Sequence, residues 1–398
     1  MTKGKAKTKK HNIRHKWKLG VDELATKHFD VSSNAELIVR EGNYQYNIHD
    51  LVKRFGTPLE IVFPFVIEER LNELINTFKY YIRLNKYRGK FYFHYPMKVN
   101  QNKEFVLPIV SEGAHIEVGS VNELWIVKRM WEQEQFSRQI KVICNGPKTN
   151  KYLGLIYELK QKGLDIVPII EDRYELDSLK EYRGELGIRI DPEIKVQSHW
   201  DKRIDRFGFP GRELVALGRI RNLKTLHSPI GSQSIKLEDM SSPVKKVMDV
   251  YIKLKTMSPT LDTINLGGGF AVPYVKRKMY SAESVVKRVL KTLKEIADRR
   301  EIPHPNIIVE WGRHLGAPAQ ITIYRIISQK PIVKSTASSW YIIDGSFIND
   351  LLDTWAIHQK WHVVPVNYLN TERLSRVWLA GSSCDSDDKY TGNCNYVP

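Results

Sequence analysis

A lysine at the end of a strand-like run is the side chain best suited to covalent chemistry in this sequence. Lys98 follows the aromatic stretch 91–95 and lies within the segment YPMKVNQ at 95–101. A lysine amine can form a Schiff base with a carbonyl group when its surroundings disfavour the protonated form. A single lysine at a strand end is more often a surface residue, so the elements around it must decide between these interpretations.

Two later segments could bind a phosphate and a ring nitrogen. Residues 267–269 are three glycines after a strand-like run, and backbone N–H groups without Cβ atoms nearby can approach a phosphate closely. A tight turn between a strand and a helix would explain them equally well. Glu310 and Arg313 lie within one turn of each other, which suits a ring nitrogen and a phosphate. An ion pair between the two is the alternative.

Strand-like segments alternate with helix-like segments through the central part of the sequence. The strand-like segments are 91–99, 115–119, 139–145, 164–171, 186–190, 223–230, 263–266 and 306–310. Eight such alternations predict an α/β protein built on a (β/α)8 TIM-type barrel, whose functional residues lie at the C-terminal ends of the strands. The residues at those ends are Lys98, Glu117, Cys144, Asn145, Glu171, Asp172, Arg189, His227, glycines 267–269, Glu310 and Arg313.

The two ends of the chain predict a smaller β domain. Strands are predicted within 35–47, with a turn at 41–43, and again at 340–345, 362–366 and 376–381. The predicted domains are listed in chain order. They are a disordered basic tail at 1–20, the first part of the β domain at 21–58, the barrel at 59–330 and the second part of the β domain, expected to be truncated, at 331–398.

The composition is that of a globular protein with unevenly distributed positive charge. The formal net charge is +17, and residues 1–18 contribute eight Lys or Arg and no acidic residue. Such a tail predicts at most a secondary contact with nucleic acid. No apolar run has membrane length, no secretory signal is recognisable, and the three cysteines lack metal-ligand spacing. We therefore expect a cytoplasmic protein with no membrane segment and no structural metal.

Ten short segments, taken in order, resemble the fold-type III pyridoxal-phosphate decarboxylases, which have an alanine-racemase-like barrel. The segments are 95–101, 116–120, 143–146, 187–190, 206–208, 231–233, 267–269, 310–313, 353–357 and 384–387. Within that family the resemblance is greatest to the biosynthetic arginine decarboxylases, and it extends from about Asn47 to Asp387. The order and spacing of so many segments make it more specific than any single motif.

The resemblance implies pyridoxal 5'-phosphate as the cofactor. Lys98 would hold it as a Schiff base, and Glu310 would keep its ring nitrogen protonated. The glycines and Arg313 would bind its phosphate, while Glu117 and Arg189 would line the pocket. The complete set of implied cofactor contacts is Lys98, Glu117, Arg189, Gly267, Gly268, Gly269, Glu310, Gly312 and Arg313.

The C-terminal segment is implied to complete the site. Cys384 would return a proton to the substrate carbon after carbon dioxide leaves, and Asp387, Asp385 and Asp353 would recognise the cationic end of the substrate. The implied partners are a cationic amino acid and a second copy of the chain, in a homodimer with shared active sites. The implied reaction converts L-arginine to agmatine in polyamine biosynthesis.

Two departures from the family pattern leave other functions open. The pattern His-x-His-x-Gly-Ser-Gln is HSPIGSQ here, at 227–233, so the ring-stacking position falls on Pro229. A Gly-Ala-Tyr segment, whose tyrosine would reach the phosphate, does not occur between Asp387 and Pro398. We expect either a fragment or a site lacking one wall. The alternatives are a decarboxylase of ornithine, lysine or diaminopimelate, and a catalytically impaired homologue that binds or regulates an active subunit.

Overall fold

The computed structural model describes residues 11–134, 139–191, 193, 206–274 and 280–397. They divide into two units. The sheet unit comprises Met1–Val62, Pro273–Lys278 and Gln320–Pro398, and the barrel unit comprises Phe63–Val272 and Met279–Ala319.

The first part of the sheet unit contains short strands and two helices. The elements are α1 (11–17), β1 (Phe29–Val31), β2 (Leu37–Glu41), β3 (Tyr44–Asn47), α2 (Ile48–Phe55) and β4 (Leu59–Val62). Strands β1, β2 and β3 form an antiparallel sheet. The side chain of Asn47 accepts hydrogen bonds from the backbone N–H groups of His49 and Asp50 and so begins α2. Strands β2 and β3 are the two strands predicted within 35–47.

The N-terminal segment differs from the predicted disordered tail over its second half. Residues 11–17 are helical, and both Trp17 and Leu19 are buried. The indole Nε1 of Trp17 donates to the carbonyl oxygen of Leu369 at 2.8 Å. A buried aromatic ring whose polar atom is paired can order a segment despite its charge. The prediction weighed only the charges and overlooked these two apolar residues. Residues 1–10 of the predicted tail lie outside the described part.

The barrel unit is built on parallel strands that close into a ring. The strands are β5 (Phe91–Pro96), β6 (His115–Val118), β7 (Lys141–Cys144), β8 (Asp165–Ile170), β9 (Leu186–Asp191), β10 (Phe209–Pro210), β11 (Leu223–His227), β12 (Thr263–Asn265) and β13 (Asn306–Val309). The ring runs β5-β6-β7-β8-β9-β11-β12-β13 and closes by pairing β13 with β5, while the short β10 pairs beside β9. The predicted eight-stranded (β/α)8 barrel is therefore confirmed.

Helices surround this ring in the expected alternation. They are α3 (Pro64–Leu84), α4 (Lys103–Ser111), α5 (Val121–Glu132), α6 (Asn150–Gln161), α7 (Arg173–Ser178), α8 (Gly211–Ala216), α9 (Leu237–Ser241), α10 (Pro243–Met257), α11 (Ala282–Arg299) and α12 (Gly312–Gly316). In α3 the buried residues Ile67, Leu71, Leu74 and Phe78 recur every three or four positions and form one apolar face. No helix in the described part of the chain is long and apolar enough to span a membrane.

Apolar side chains fill the lower interior of the barrel. Ile143, Val167, Ile169 and Ile308 form one buried cluster, and Tyr92 packs against it. These residues come from β5, β7, β8 and β13, which lie around the ring, so their contact must occur inside it. The interior is a packed core, which leaves the C-terminal rim as the place where polar side chains gather.

The second part of the sheet unit pairs with the first part, so this unit is built from both ends of the chain. Its elements are β14 (Gln320–Ile323), β15 (Ile326–Pro331), β16 (Ser339–Ile343), α13 (Asp353–Ala356), β17 (Ser375–Ala380) and β18 (Lys389–Val397). Strand β14 pairs antiparallel with β4, and β15 to β18 form a four-stranded sheet. Because β4 and β14 pair with each other, the two units meet in sequence at Val62/Phe63 and Ala319/Gln320. The predicted boundaries were 58/59 and 330/331.

The strand predicted at 362–366 is wrong. The structure has an irregular segment there. Pro365 carries no backbone N–H and cannot donate to a ladder. The carbonyl of Val366 accepts a single hydrogen bond from Leu37 N, at 2.8 Å. The apolar run predicted a strand, but Pro365 removes one of the backbone donors that a strand ladder needs.

A buried ion pair fixes the loops after β7 and β8. Lys148 Nζ lies 3.1 Å from Glu175 Oε2 and also donates to the carbonyl oxygens of Gly146 at 2.7 Å and Ile169 at 2.5 Å. Glu175 in turn accepts from the backbone N–H groups of Lys148 and Glu171, each at 2.9 Å. Burial raises the pKa of Glu175, and the Lys148 ammonium partly offsets this effect. The pair therefore ties two neighbouring loops of the rim together.

Removing one member of this pair is expected to destabilise the protein strongly. Lys148→Met should lower the free energy of unfolding by about 3–5 kcal/mol, because Glu175 would remain buried without its counter-ion. Lys148→Met combined with Glu175→Gln should recover much of that loss. Denaturant unfolding of both variants checks this. Lys162→Met, which removes an exposed lysine paired with Glu132 and Glu158, is the control and should change little. An equally small effect of Lys148→Met would contradict the prediction.

Candidate active site

Lys98 lies on a turn at the C-terminal rim of the barrel. Strand β5 ends at Pro96, and Met97–Val99 form a 3-10 turn instead of continuing the strand as predicted. About two thirds of the Lys98 side chain is exposed, and its Nζ lies 3.3 Å from Glu117 Oε2 at the end of β6. Because β5 and β6 are adjacent parallel strands, their ends place the lysine and the carboxylate side by side.

Glu310 follows β13 and is held through one of its two carboxylate oxygens. Asn265 Nδ2 donates to Glu310 Oε1 at 2.7 Å, and Asn145 Nδ2 lies 3.3 Å from the same oxygen. His227 Nε2 is 3.7 Å from it. Among the described residues, no hydrogen bond reaches Glu310 Oε2. The buried carboxylate is thus fixed in orientation with one oxygen left for another donor.

The electrostatics of this rim favour a proton on Glu310. Burial raises the pKa of Glu310 to about 7, and the neighbouring charge of Glu117 acts in the same direction. Lys98, the hydrogen bond from Asn265 and Arg189 oppose that shift. Partial desolvation lowers the pKa of Lys98, but the charges of Glu117 and Glu310 outweigh it and the pKa lies above its usual value. The lysine is therefore an ammonium ion in the free protein, paired with carboxylates.

Arg189 is fixed by a carboxylate and an aromatic ring. Its Nη1 lies 3.2 Å from Glu171 Oε2, and its guanidinium stands 4.4 Å from the centre of the Phe207 ring. Glu171 also accepts from the backbone N–H of Gly146, at 2.7 Å. The same loops are tied by the Lys148–Glu175 pair, so Arg189 is held in place by an extended buried network.

The glycine turn after β12 is built into the rim. Gly267 has a φ of +63°, and a Cβ at this position would lie 2.8 Å from both Cα and Cβ of Pro229. Only glycine fits such a backbone and such an approach. The N–H of Gly267 donates to Asn265 Oδ1 at 2.8 Å, and its carbonyl accepts from Glu310 N at 2.9 Å. The turn and the Glu310 carboxylate are therefore positioned by the same asparagine.

A second glycine packs against the turn that bears Lys98. A Cβ on Gly312 would lie 2.5 Å from Pro96 Cγ and 2.8 Å from Val99 Cγ2. The absence of a side chain at 312 lets the end of β13 and the 97–99 turn meet. Arg313 follows within α12 and is partly exposed.

These residues fit pyridoxal phosphate. A lysine beside a carboxylate can join an aldehyde, and a buried acid with one oxygen available can face a ring nitrogen. A Cβ on Gly268 would lie 3.4 Å from the carbonyl oxygen of Glu310 and 4.0 Å from that of Gly231, so a side chain there would occupy the space above the glycine turn. The described residues contain no group of three or more His, Cys, Asp or Glu placed to hold a metal ion.

The remaining predicted residues belong to the sheet unit. Cys384, Asp385 and Asp387 lie on an exposed loop between β17 and β18. The buried Asp388 shapes that loop, because its Oδ1 accepts from Phe347 N and its Oδ2 from Ser383 Oγ, each at 2.6 Å. Asp353 is the first residue of α13. The structure therefore gathers the predicted cofactor residues on one unit and the predicted proton donor and substrate residues on the other.

The sequence matches one protein family over residues 72–317, which is more than half of the chain. That family is described as "Pyridoxal-dependent decarboxylase, pyridoxal binding domain". The chain belongs to the pyridoxal-dependent decarboxylases. The match spans most of the barrel unit, including Lys98, the glycine turn and Glu310, and the cofactor of this family is pyridoxal phosphate. The family resemblance inferred from the sequence is confirmed.

Curated relatives share about a quarter of their residues with this decarboxylase-family chain. The biosynthetic arginine decarboxylase of Phocaeicola vulgatus is 24% identical over 388 residues, covering 89% of this chain and 59% of the relative. That of Prochlorococcus marinus is 26% identical over 397 residues, covering 90% and 60%. The chain thus spans well under two thirds of the length of these relatives.

Solved structures share the fold. The biosynthetic arginine decarboxylase of Campylobacter jejuni superposes with a TM-score of 0.79 at 19% identity, covering 94% of this chain and 78% of that one. Diaminopimelate decarboxylase of M. jannaschii in complex with L-lysine gives 0.80 at 22% identity, covering 94% and 85%. Both agree with a barrel plus a smaller sheet domain.

The structure adds residues to which the sequence assigned no role. The sequence predicts Asn145, Glu171 and His227 at strand ends without a function, and it gives no role to Asn265, two residues before the glycines. An asparagine after a short buried strand could have been found by asking which donor satisfies a buried carboxylate. Lys148, Glu175 and Asp388 gave no sequence signal, since their burial depends on loops folding back.

Replacing Glu310 is expected to flatten the pH dependence of stability. Because the pKa of Glu310 is raised from its ordinary value to about 7, its contribution to stability is full below pH ~4.5 and is lost as the pH rises toward about 7. Glu310→Gln cannot titrate and should remove up to about 3 kcal/mol of this dependence. Denaturant unfolding of the cofactor-free protein across this range checks it, with the exposed Glu301→Gln as control. Parallel curves for wild type and Glu310→Gln would contradict it.

Proposed function

We propose that this protein decarboxylates a basic amino acid with pyridoxal phosphate, and that L-arginine is the first substrate to test. The observation that carries the proposal is the grouping of Lys98, Glu117 and Glu310 at the rim of a barrel in a pyridoxal-dependent decarboxylase family. When bound, the pyridoxal ring accepts the electron pair that a departing carboxyl group leaves behind.

Glu117 would accept the proton that the Lys98 ammonium group must lose first. The amine must lose a proton before it can join an aldehyde, and the raised pKa of Lys98 means that it needs a nearby acceptor. Glu117 Oε2, at 3.3 Å from Nζ, is that acceptor. The same contact would keep the free lysine beside the site afterwards.

Glu310 holds the proton at the ring nitrogen. A carboxyl group with a pKa of about 7 can keep a proton or give it up near neutral pH. Its Oε1 is fixed by Asn265 and Asn145, so Oε2 is available to face the ring. A charge-assisted hydrogen bond there keeps the ring electron-poor.

The glycine turn and Arg313 would hold the phosphate, while Arg189 and Glu117 would line the pocket. The backbone N–H groups of the turn at 267–269 can approach an anion because no Cβ intervenes. Arg189, held by Glu171 and Phe207, keeps positive charge near the cofactor.

Arginine is proposed from the relatives and from the acidic loop. Both curated relatives described above are named biosynthetic arginine decarboxylases. Asp385 and Asp387 are exposed on the Cys384 loop, and with Asp353 they supply carboxylates for a cationic side chain. Ornithine, lysine and diaminopimelate are the alternative substrates. A homodimer with shared active sites remains part of the proposal.

Lys98 is expected to be required for the visible absorbance band that pyridoxal phosphate acquires when its aldehyde joins a lysine. Wild type mixed with the cofactor should show the band, and arginine should shift it. Lys98→Ala should lack the band and should release no carbon dioxide from arginine. Lys103→Ala, an exposed lysine at the start of α4, is the matched control and should resemble wild type.

Three results would redirect the assignment. A band that is indifferent to Lys98 would refute the proposed cofactor role. Release of carbon dioxide from ornithine, lysine or diaminopimelate instead of arginine would change the substrate. A Lys98-dependent band without release of carbon dioxide from any of the four amino acids would favour the catalytically impaired homologue. Pro229 at the ring-stacking position is the reason for considering that alternative.

Cys384 is expected to act after cofactor binding. Cys384→Ala should lower kcat for decarboxylation by about 100-fold or more, the effect typical of losing a general acid, while the absorbance band stays unchanged. Steady-state kinetics and the spectrum check both points. Ser386→Ala, an exposed change in the same loop, serves as the control. Full activity of Cys384→Ala would exclude this cysteine as the proton donor.

A further inference from the structure

Two buried carboxylates share the rim with one lysine. Glu117 is 1% exposed and Glu310 is 4% exposed. Lys98 is the lysine beside them, at 3.3 Å from Glu117. Two negative charges placed together in a buried site repel, and one is driven toward its protonated form. The two carboxylates can stay close only if neighbouring side chains offset that repulsion.

Asn145 is the side chain that contacts both carboxylates. Its Nδ2 lies 2.8 Å from Glu117 Oε1 and 3.3 Å from Glu310 Oε1. An amide nitrogen carries two hydrogens, so it can donate to both carboxylates at once. The residue follows β7 and is itself buried, and its backbone N–H donates to Val118 O at 2.8 Å. The amide is therefore held rigidly between the ends of β6 and β13.

The amide oxygen of Asn145 shows that this orientation carries an energetic penalty. Asn145 Oδ1 is buried and has no hydrogen-bond partner among the described residues. A buried acceptor without a donor is destabilising, because it has lost its hydrogen bonds to water. Turning the amide over would satisfy nothing, since it would place Oδ1 against two carboxylate oxygens. The orientation is thus dictated by Glu117 and Glu310.

Asn265 offers an instructive contrast. Its Nδ2 donates to Glu310 Oε1, while its Oδ1 accepts from Gly267 N at 2.8 Å. Both halves of that amide are used, and only one carboxylate is touched. Asn265 is thereby a brace between the glycine turn and Glu310, whereas Asn145 joins the two acids to each other.

We propose that Asn145 is a positioning residue that holds the Glu117 and Glu310 carboxylates together by donating one amide N–H to each. The inference deepens the proposed function, on which its consequence for the cofactor rests. With the amide in place, its two N–H groups offset the repulsion between the carboxylates, so that Glu117 stays within reach of the Lys98 amine and Glu310 would keep one oxygen available for the ring nitrogen. Without it, fewer donors oppose the repulsion between the two carboxylates.

Other charged and titratable groups face this pair from the surrounding elements. They are Lys98 after β5, Cys144 on β7 with Tyr152 on α6, Glu171 after β8, Arg189 on β9 and His227 on β11. Burial raises the pKa of Cys144 to about 12, and burial raises that of Tyr152 as well, so neither changes charge near neutral pH. Any test must therefore separate the pair from Lys98 and His227.

The first measurement follows the pH dependence of unfolding of the full-length, cofactor-free protein. The proteins compared are wild type, Asn145→Leu, Asn145→Ser, Glu117→Gln and the Asn145→Leu/Glu117→Gln double variant. Loss of the shared donor removes a hydrogen bond to the charged forms and should move the midpoint of the pH-dependent loss of stability upward by about one pH unit. Asn145→Ser, which keeps one donor, should lie between.

Coupling is read from the double variant. In wild type, Glu117→Gln should move the midpoint downward because it removes the repelling charge. In the Asn145→Leu background that shift should differ by about half a unit or more. Glu310→Gln, which removes the titrating group, should abolish the transition in every background. A residue that merely filled space would lower the melting temperature without changing the midpoint.

Asn306→Leu is the matched control. Asn306 begins β13 at the opposite end of the barrel, where its Oδ1 accepts from Lys90 N at 2.9 Å. The same chemical change there should leave the midpoint where it is. With pyridoxal phosphate added, Asn145→Leu should bind the cofactor about tenfold more weakly than wild type, and Asn306→Leu should bind as wild type does.

The outcomes separate this inference from the proposed function. An unchanged midpoint in Asn145→Leu, or in Asn145→Ser if the leucine variant does not fold, would overturn the role of Asn145. Equal Glu117→Gln shifts with and without Asn145 would do the same. Failure of wild type to bind pyridoxal phosphate would overturn the proposed function instead, while the cofactor-free titration would still decide the inference.

Discussion

The enclosure of two carboxylates at one rim of the barrel is the constraint on which the rest of the site depends. Glu117 and Glu310 are forced together because β6 and β13 both flank β5 in a closed ring. Burial and mutual repulsion would expel them unless donors and cations compensated. Lys98, Asn145 and Asn265 supply that compensation. The same arrangement leaves buried carboxyl groups and a lysine ammonium ion close together at one rim.

Much of the fold could be predicted because it follows from local pattern. Each barrel strand is a short apolar run followed by a polar residue, and that alternation with helices is visible in the sequence. Lys98, Glu117 and Glu310 stand at the strand ends, so the topology alone predicts that they meet. The strand at 362–366 failed because periodicity does not report a missing backbone donor. The order of residues 11–17 was missed because one buried indole outweighs several charges.

The supporting residues could not be predicted because their roles depend on distance in three dimensions. Lys148 carries a charge that sequence reasoning assigns to the surface, yet it is buried by two loops that fold over it. Its value lies in fixing the backbone of Gly146, which donates to Glu171, which pairs with Arg189. Because this set of three contacts extends from Gly146 to Arg189 along the chain, it leaves no short motif in the sequence. The residues closest to the chemistry were found from type and position, and those that orient them were found only from contacts.

Pro229 bears on whether charge or ring stacking would have the greater effect on a cofactor in this site. It lies against Gly267, where a Cβ would approach it to 2.8 Å, so a side chain at 267 would collide with the proline. Under the proposed function, a proline at the stacking position can pack on a ring but cannot polarise it. Electron withdrawal then depends on the partner of the ring nitrogen. Glu310 is suited to that role, because Asn145, Asn265 and His227 all lie close to its Oε1 and fix its orientation. Under the proposed function, the orientation of Glu310 would therefore matter more for electron withdrawal than the residue that packs on the ring face.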